Sequence, residues 1–457
     1  MDLLANLALG IETAFLPWNL LYCFVGVLLG TLIGVLPGIG PSATIAMLLP
    51  ITFALSPVTS MIMLAGIYYG AQYGGSTTAI LLNMPGEASS AVTALDGHEM
   101  AKQGRAGPAL AAAAIGSFFA GTVATLFIGL FAMPLTSVAL TFTSTEYFSL
   151  IVLGLICSIV LSSGSPTKAV AMVITGILMG QVGMDMYTAT PRFTFGLLDL
   201  DDGFTFTAVV IGTYGIAEIL RNLENESERA VIAKKIEGII PSREDWRRMV
   251  GPILRGTGIG SLLGVLPGGG ALLSSFASYA IEKKVSKHPE QFGHGAIEGV
   301  AGPESANNAG AQTAFIPMLT LGIPSNGVLA IMIGAMILHG IVPGPNVARD
   351  QPELFWGIIA SMWAGNLMLV VLNLPLVGMW VRLLTIPYYW MFPAILAFCA
   401  LGVFGTNSNP FDLATLIGFT LFGYFMYRLG YELYCGPVLR HSAEPIQAAN
   451  FRLAVAF

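Results

Sequence analysis

Few residues in this 457-residue sequence can do chemistry, because Asp, Glu, Lys and Arg together make up only 10%. Those of interest gather in two stretches. The first reads Asn83-Met84-Pro85-Gly86-Glu87-Ala88-Ser89-Ser90 and continues to Asp96-Gly97-His98-Glu99 and Lys102. The second reads Gly302-Pro303-Glu304-Ser305-Ala306-Asn307-Asn308-Ala309-Gly310, followed downstream by Gly322-Ile323-Pro324-Ser325-Asn326. Both are small and polar between apolar flanks, which suits the wall of a hydrated cavity better than a face turned to lipid. Acids set in apolar sequence are functional candidates by default. Glu87, Asp96 and Glu304 are therefore candidate coupling acids, with Glu298 beside them. Asp96 and Glu99 equally suit a loop shared with Lys102 and Arg105. Serine and asparagine side chains here either donate to an oxyanion or cap half-helices. Ligand contact is the favoured reading for Ser89, Ser90, Ser325 and Asn326, with Asn83, Asn307 and Asn308 as further contacts.

Backbone groups are the other source of chemistry. Pro37 is followed by Gly38, Gly40 and Ser42, and Pro267 by Gly268, Gly269 and Gly270. A proline lacks an N–H and clashes with the preceding turn, so a helix breaks there. The glycines accept angles closed to other residues and let a ligand reach the main chain. Such a break frees N–H groups that bind carboxylates and carbonyls that suit a sodium ion. Pro85 and Pro324 are further break points. One Gly/Pro cluster alone is as well explained by close helix packing.

The clusters, however, occur twice. Gly30-Thr-Leu-Ile-Gly-Val-Leu-Pro-Gly-Ile-Gly40 recurs as Gly260-Ser-Leu-Leu-Gly-Val-Leu-Pro-Gly-Gly-Gly270, a shift of 230 residues with one non-conservative difference, Ile39 against Gly269. Asn83-Met84-Pro85-Gly86 is answered by Gly322-Ile323-Pro324-Ser325, and Gly107-Pro108 by Gly344-Pro345. The expectation is a duplicated chain, with a first half at 1–220, a cytoplasmic linker at 221–255, a second half at 256–430 and an atypical tail at 431–457. Duplicated, Gly/Pro-interrupted membrane segments point to carriers with a site near the midplane.

The elements that must position these residues are helices in lipid. Apolar residues make up 55%, Gly 54 and Pro 26 residues, and net charge is −6; a soluble surface needs about 25% charged residues. Continuous apolar runs of span length fall at Phe15–Val35, Pro57–Tyr73, Pro108–Met133, Tyr147–Ser163, Ala169–Tyr187, Phe204–Leu220, Phe355–Leu384, Pro387–Phe404 and Leu413–Leu429. Transmembrane strands would alternate instead. The fold class expected is an all-α integral membrane protein, a polytopic helical bundle with an internal two-fold repeat, inverted by analogy, and re-entrant hairpins or broken helices. Eight of the 20 basic residues lie in Arg221–Arg255, which places that stretch in the cytoplasm. Lys283, Lys284 and Lys287 flank the far side of the 253–281 run, so Leu266–Gly270 is expected at the tip of a hairpin or the break of a split helix. Nothing favours nucleic acid as a partner. Cys23, Cys157, Cys399 and Cys435 form no metal or disulfide pattern, no cleavable leader is evident, and HExxH, GxSxG and Walker motifs are absent.

At the repeat cores the sequence resembles the large membrane subunit of the tripartite tricarboxylate transporters, the TctA-like permeases. The resemblance rests on Gly34–Ala43, Tyr69–Ser76, Asn83–Lys102, Gly264–Gly270, Gly295–Asn308, Thr320–Pro324 and His339–Pro345, within about residues 15–430. It implies a multi-pass protein of the bacterial inner membrane that is a secondary symporter and not an enzyme. The implied cargo is citrate-like or other organic carboxylates, and the coupling ion is Na⁺ or H⁺, with Na⁺ held near the repeat breaks. No other cofactor is implied. The family pairs this subunit with a small four-helix membrane subunit and a periplasmic solute-binding protein, and a homodimer is plausible for such a carrier. Tyr434–Phe457 departs from the family, whose members continue with a further apolar segment. Two other classes remain open: an uncoupled channel or uniporter for small anions, and a membrane-embedded enzyme.

Overall fold

Helices account for nearly all regular structure in the computed structural model, as lipid requires when each backbone N–H must find its acceptor within its own segment. Residues 3–35, 40–83, 86–141, 165–185, 190–205, 211–217, 238–266, 270–383 and 392–431 are described, with scattered positions between 143 and 220. Pro37, Gly38, Pro85, Pro267, Gly268 and Gly269 lie outside the described residues, as do 221–237 and the tail beyond 431.

The first stretch runs α1 (Leu3–Ala14), α2 (Pro17–Val35), α3 (Pro41–Thr52), α4 (Pro57–Leu82), α5 (Ala91–Lys102) and α6 (Ala106–Ala139). Helix α4 starts where Ser56 accepts from the Thr59 N–H and Pro57 fills the first turn, and it stops at Asn83 in the left-handed region (φ 56°, ψ 29°). After α7 (Pro166–Gly180) the chain forms a minimal antiparallel hairpin, β1 (Gly183–Met184) with β2 (Pro191–Arg192). The later stretch runs α8 (Arg243–Leu263), α9 (Gly270–Val285), α10 (Glu298–Thr313), α11 (Phe315–Leu321), α12 (Gly327–Leu338), α13 (Pro352–Asn373), α14 (Val377–Leu383), α15 (Phe392–Asn407) and α16 (Pro410–Arg428). Ser242 and Asp245 close a capping box at the start of α8. Helix α11 ends on Gly322, also left-handed (φ 71°, ψ 20°), and Asn326 caps α12.

Two close-packed seams organise the bundle. Gly26, Gly30 and Gly34 of α2 lie against the backbone of Met63, Ile67 and Ala71 in α4. Gly256, Gly260 and Gly264 of α8 lie against Gly302, Ala306 and Gly310 of α10. The contacts climb both helices together, so each pair is parallel. Lipid supplies no hydrophobic drive between helices, and small residues let the backbones close up instead. Helix α4 runs antiparallel to α10 and its continuation α11, with Ser76 meeting Glu304 of α10 and the Tyr68 ring 6.0 Å from Phe315 of α11.

Helices α8 and α9 fold back on one another, clasped by Arg255 and Glu282 at 2.6 Å. The start of α2 and the end of α3 both meet the start of α4, through Thr59 donating to Asn19 at 2.6 Å and Ser60 donating to the Thr52 carbonyl at 3.0 Å. The two ends of the bundle differ in charge. One gathers Lys102, Arg105, Arg243, Arg247, Arg248, Lys283, Lys284 and Lys287, tied by the Arg105–Asp245 and Arg248–Glu298 pairs. The other carries the 339–351 segment, which includes a short helical turn at Val347–Asp350, with the His339 ring tilted against Phe53 at 6.2 Å.

Among the described residues three helices are long and apolar enough to cross a membrane: Pro17–Val35, Ala106–Val138 and Pro352–Asn373. Two expected spans end early. The run expected over Ala169–Tyr187 leaves helix at Gly180 and turns through Gly183, whose φ of 126° suits glycine alone. The run expected over Phe355–Leu384 breaks after Asn373, because Pro375 cannot donate to the preceding turn. Of Phe204–Leu220, residues 211–216 form a π-helical turn, and Tyr147–Ser163 lies largely outside the described residues.

Candidate functional site

Helix α10 runs through the protein interior and carries one acid in its buried middle. Glu304 is fully buried. Its Oε2 accepts from the Ser76 hydroxyl of α4 at 2.6 Å, and its Oε1 accepts from the Thr93 hydroxyl of α5. Elements more than 200 residues apart in sequence thus meet on one carboxylate. Asn308, one turn on, donates to Ser117 of α6 at 2.7 Å and to the Glu304 carbonyl at 3.1 Å, while its own carbonyl oxygen has no partner. Asn307 is fully buried beside the same carboxylate. Further along the face, Gln312 accepts from Thr125 of α6 at 2.8 Å, and its amide nitrogen is unpartnered, as are both amide atoms of Asn366 in α13. An unmade hydrogen bond in such a place costs about 1–3 kcal/mol, so these amides stand ready for a polar guest or for water.

The first polar stretch sits against this group. Gly86 is wedged between α2 and α4, where a Cβ would stand 2.7 Å from Gly75 Cα. Glu87 lies over Gly75, whose Cβ would meet the Glu87 chain at 3.1–3.4 Å. Ser89 donates to Gln72 of α4 at 2.8 Å, and Ser90 to the Glu87 carbonyl at 2.9 Å. This turn packs on α9 and α10. In the second stretch, Asn326 caps α12, accepting from the Leu329 N–H at 3.0 Å, and its amide nitrogen donates to the Tyr68 hydroxyl of α4 at 2.7 Å. Ser325 is buried with an unpartnered hydroxyl. Gly270 (φ 44°) opens α9 beside Ser325 and Asn326. Gly40 is buried and Ser42 half-buried at the start of α3, while Asn83 is exposed as the left-handed end of α4. Pro324 lies half-buried between Gly322 and Ser325.

Asp96 occupies a different setting. Its Oδ1 accepts the N–H groups of Gly293, Gly295 and Ala296 at 2.8–2.9 Å, and its Oδ2 accepts from Tyr279 at 3.0 Å. It ties α5 to the 293–296 loop at the basic end. Glu298 is held bidentate by Arg248 at 2.8 Å. Glu99 pairs with Lys102, and that hydrogen bond holds its carboxyl below the usual range.

The sequence reading overlooked Gln72, Tyr73, Ser76, Thr93, Ser117, Gln312 and Asn366. A signal was present, since Gln72 and Asn366 are amides within apolar spans, and such groups turn inward in lipid. Among the described residues no group of three His, Cys, Asp or Glu side chains could hold a metal ion.

Apolar helices closed by glycine seams around a buried, under-paired polar cluster define a helical membrane protein. The Tripartite tricarboxylate transporter TctA family matches residues 20–435, and the chain belongs to that family. An Agrobacterium vitis protein described as an uncharacterized 52.8 kDa protein in the TAR-I ttuC' 3' region is 64% identical over 432 residues, 94% of this chain and 86% of that protein. A second A. vitis protein, described as an uncharacterized protein in the TAR-II ttuC' 3' region, is 64% identical over 173 residues, 38% of this chain and 72% of its own. No solved structure matches. The family makes the chain a component of a tricarboxylate transporter and implies partner subunits, a small membrane protein and a periplasmic binding protein.

Proposed function

We propose that this chain is the ion-coupled permease of its tripartite system, importing organic carboxylates delivered by a periplasmic solute-binding protein and working by alternating access in the bacterial inner membrane. The carrying observation is the meeting of Ser76, Thr93 and Glu304 at the buried crossing of α4 and α10. A midplane polar site between two related halves is the architecture of secondary carriers. In this reading α2–α6 and α8–α13 are the halves. The parallel seams, the left-handed stops at Asn83 and Gly322 and the antiparallel crossing of α4 on α10 support an inverted relation. The folded-back pairs α2–α3 and α8–α9 are then re-entrant hairpins from opposite faces. The basic end is cytoplasmic by its excess of Lys and Arg. Substrate carboxylates sit between the start of α3 (Gly40, Ser42) and the start of α9 (Gly270), with Ser89, Ser90, Ser325 and Asn326 in reach.

Reconstitution tests this reading. Proteoliposomes holding the two membrane subunits, given the binding protein and labelled citrate or another di- or tricarboxylate, should accumulate it against its gradient under an imposed Na⁺ or pH gradient. Downhill equilibration under every ion gradient would identify an uncoupled uniporter instead.

A further inference from the structure

Each oxygen of the Glu304 carboxylate accepts from a hydroxyl group. Ser76 donates at 2.6 Å and Thr93 more closely. Both contacts come from hydroxyl groups, the kind of partner that hands a proton to and from a carboxylate. Among the described residues no lysine, arginine or histidine pairs with it. Other titratable groups stand on the surrounding elements. Helix α8 brings Arg248 and Arg255, bound to Glu298 and to Glu282 of α9. Helix α5 brings Asp96, held by the 293–296 loop and by Tyr279 of α9, and His98, whose Nδ1 meets the Ile80 carbonyl. Glu87 lies just before the Ala88–Ser90 turn, α6 presents Ser117, and α4 presents Tyr73. A lone buried carboxylate carries a heavy desolvation cost, and a proton removes it.

A route for that proton lies beside it. A cavity of about 10 Å³, room for one water, is lined by Tyr73, Ser76, Ser117 and Asn373 among others. The Tyr73 hydroxyl and the Asn373 carbonyl oxygen have no partner. Ser117 accepts from Asn308. One turn further along α6, Gly121 leaves space for two amides: a Cβ there would stand 2.6 Å from Asn366 Nδ2 and 2.8 Å from Gln312 Nε2. Gln312 and Thr125 continue the file away from the basic end.

We infer that Glu304 is the proton site of the transport cycle, loaded from the cavity that Ser76 and Ser117 share, with the polar groups Thr125, Gln312 and Asn366 beyond it along α6, so that protons are the coupling ion; this rests on the carrier reading above. A hydronium in the cavity gives one proton to the Ser76 oxygen. Ser76 passes its own hydroxyl proton to Oε2 of Glu304, and a neutral water is left behind. The carboxylate becomes a neutral acid. Once alternating access has turned the site to the other face, Oε2 returns a proton to the Ser76 oxygen, and the Ser76 hydroxyl gives one to a water on that side, which leaves as hydronium.

The test uses proteoliposomes of the intact membrane complex with its binding protein, a trapped pH dye and labelled citrate as probe. Without sodium, the wild type should acidify the lumen as citrate enters and should concentrate citrate under a pH gradient. Glu304→Gln should lose both, yet keep citrate–citrate counterflow, which needs no net proton movement. Gly121→Val should slow the acidification. Thr93→Val, which removes one hydroxyl and preserves shape, should shift the pH dependence of uptake, and it serves if Glu304→Gln does not fold. Wild-type accumulation that follows a sodium gradient with no acidification would overturn the inference, as would proton-driven accumulation by Glu304→Gln. Absence of wild-type movement of citrate and of every other di- or tricarboxylate supplied would instead refute the carrier reading.

Discussion

Replacing Gly260 by alanine measures the α8–α10 seam directly. A Cβ there would stand 2.8 Å from Ala306 Cα and from Ala309 Cβ, and nearer still to the Ala306 carbonyl oxygen, where ordinary contact begins at 3.4 Å. The obstacle is backbone, so no side chain can swing aside; the helices must part by about half an ångström or more, an overpacking that costs about 1–3 kcal/mol. Alanine also brings a gain of about 1 kcal/mol in helix propensity. Gly258, two residues away on the same helix, separates the two effects, because a Cβ there meets nothing within 4 Å. Gly258→Ala should therefore hold or raise stability, and Gly260→Ala should fall below it by about 1–3 kcal/mol, the propensity gain cancelling between them. Thermal unfolding of the two variants in one detergent, followed by size-exclusion of the surviving fold, reads the difference. Equal midpoints would mean that α8 and α10 do not touch along this line, and the bundle derived from the seams would be wrong.

Three further outcomes follow from single contacts. Asn326→Ala removes the cap of α12 and its bond to Tyr68, and should lower stability by about 1 kcal/mol or somewhat more, whereas Tyr68→Phe, which spares the cap, should lose less in the same thermal assay. Arg255→Gln leaves the buried Glu282 without its guanidinium, while the double variant with Glu282→Gln leaves no stranded charge, so the double should unfold at a higher temperature than the single. Burial disfavours the charged form of Asp245, but the Ser242 hydroxyl and N–H and the Arg105 guanidinium outweigh it and hold the carboxyl below the usual aspartate range. A lowered folded value means that this stabilisation is fully present above the unfolded value of about 3.9 and fades as pH falls from there; Asp245→Asn should flatten the acid limb of the stability–pH curve, and an unchanged limb would remove Asp245 from the account.

What the sequence discloses here is what acts locally. Asn83 and Gly322 end helices because each accepts a left-handed angle, and Pro41, Pro57 and Pro352 open helices because a first turn needs no proline N–H. The repeat of Gly30 and Gly34 at Gly260 and Gly264 is visible as spelling, and the structure gives those glycines a shared job, close helix approach. The partners of Glu304 were not legible. Ser76 and Thr93 lie 228 and 211 residues away, and a hydroxyl in an apolar helix looks alike whether it returns to its own backbone, as Thr320 does to Ile316, or reaches across to an acid. Asn326 shows the opposite limit, since capping and ligand contact predict the same residue at the same place; the structure shows the cap and a bond to Tyr68.

The seams and the polar file are complementary uses of small residues. In lipid neither apolar burial between helices nor scattered polar contacts contributes much, so close backbone approach must stabilise the bundle. Gly26, Gly30 and Gly34 with α4, and Gly256, Gly260 and Gly264 with α10, supply that approach. This leaves the interface among α4, α6, α10 and α13 free to hold groups that would be poor mortar: Asn366 with neither amide atom paired, Gln312 and Asn308 half-paired, and Tyr73 with an idle hydroxyl. Each costs stability where it stands. Their concentration along one interface that also holds a buried acid is what a fold arranged only to be stable would have avoided. In the carrier reading proposed above the cluster serves transport, and the seams offset its cost.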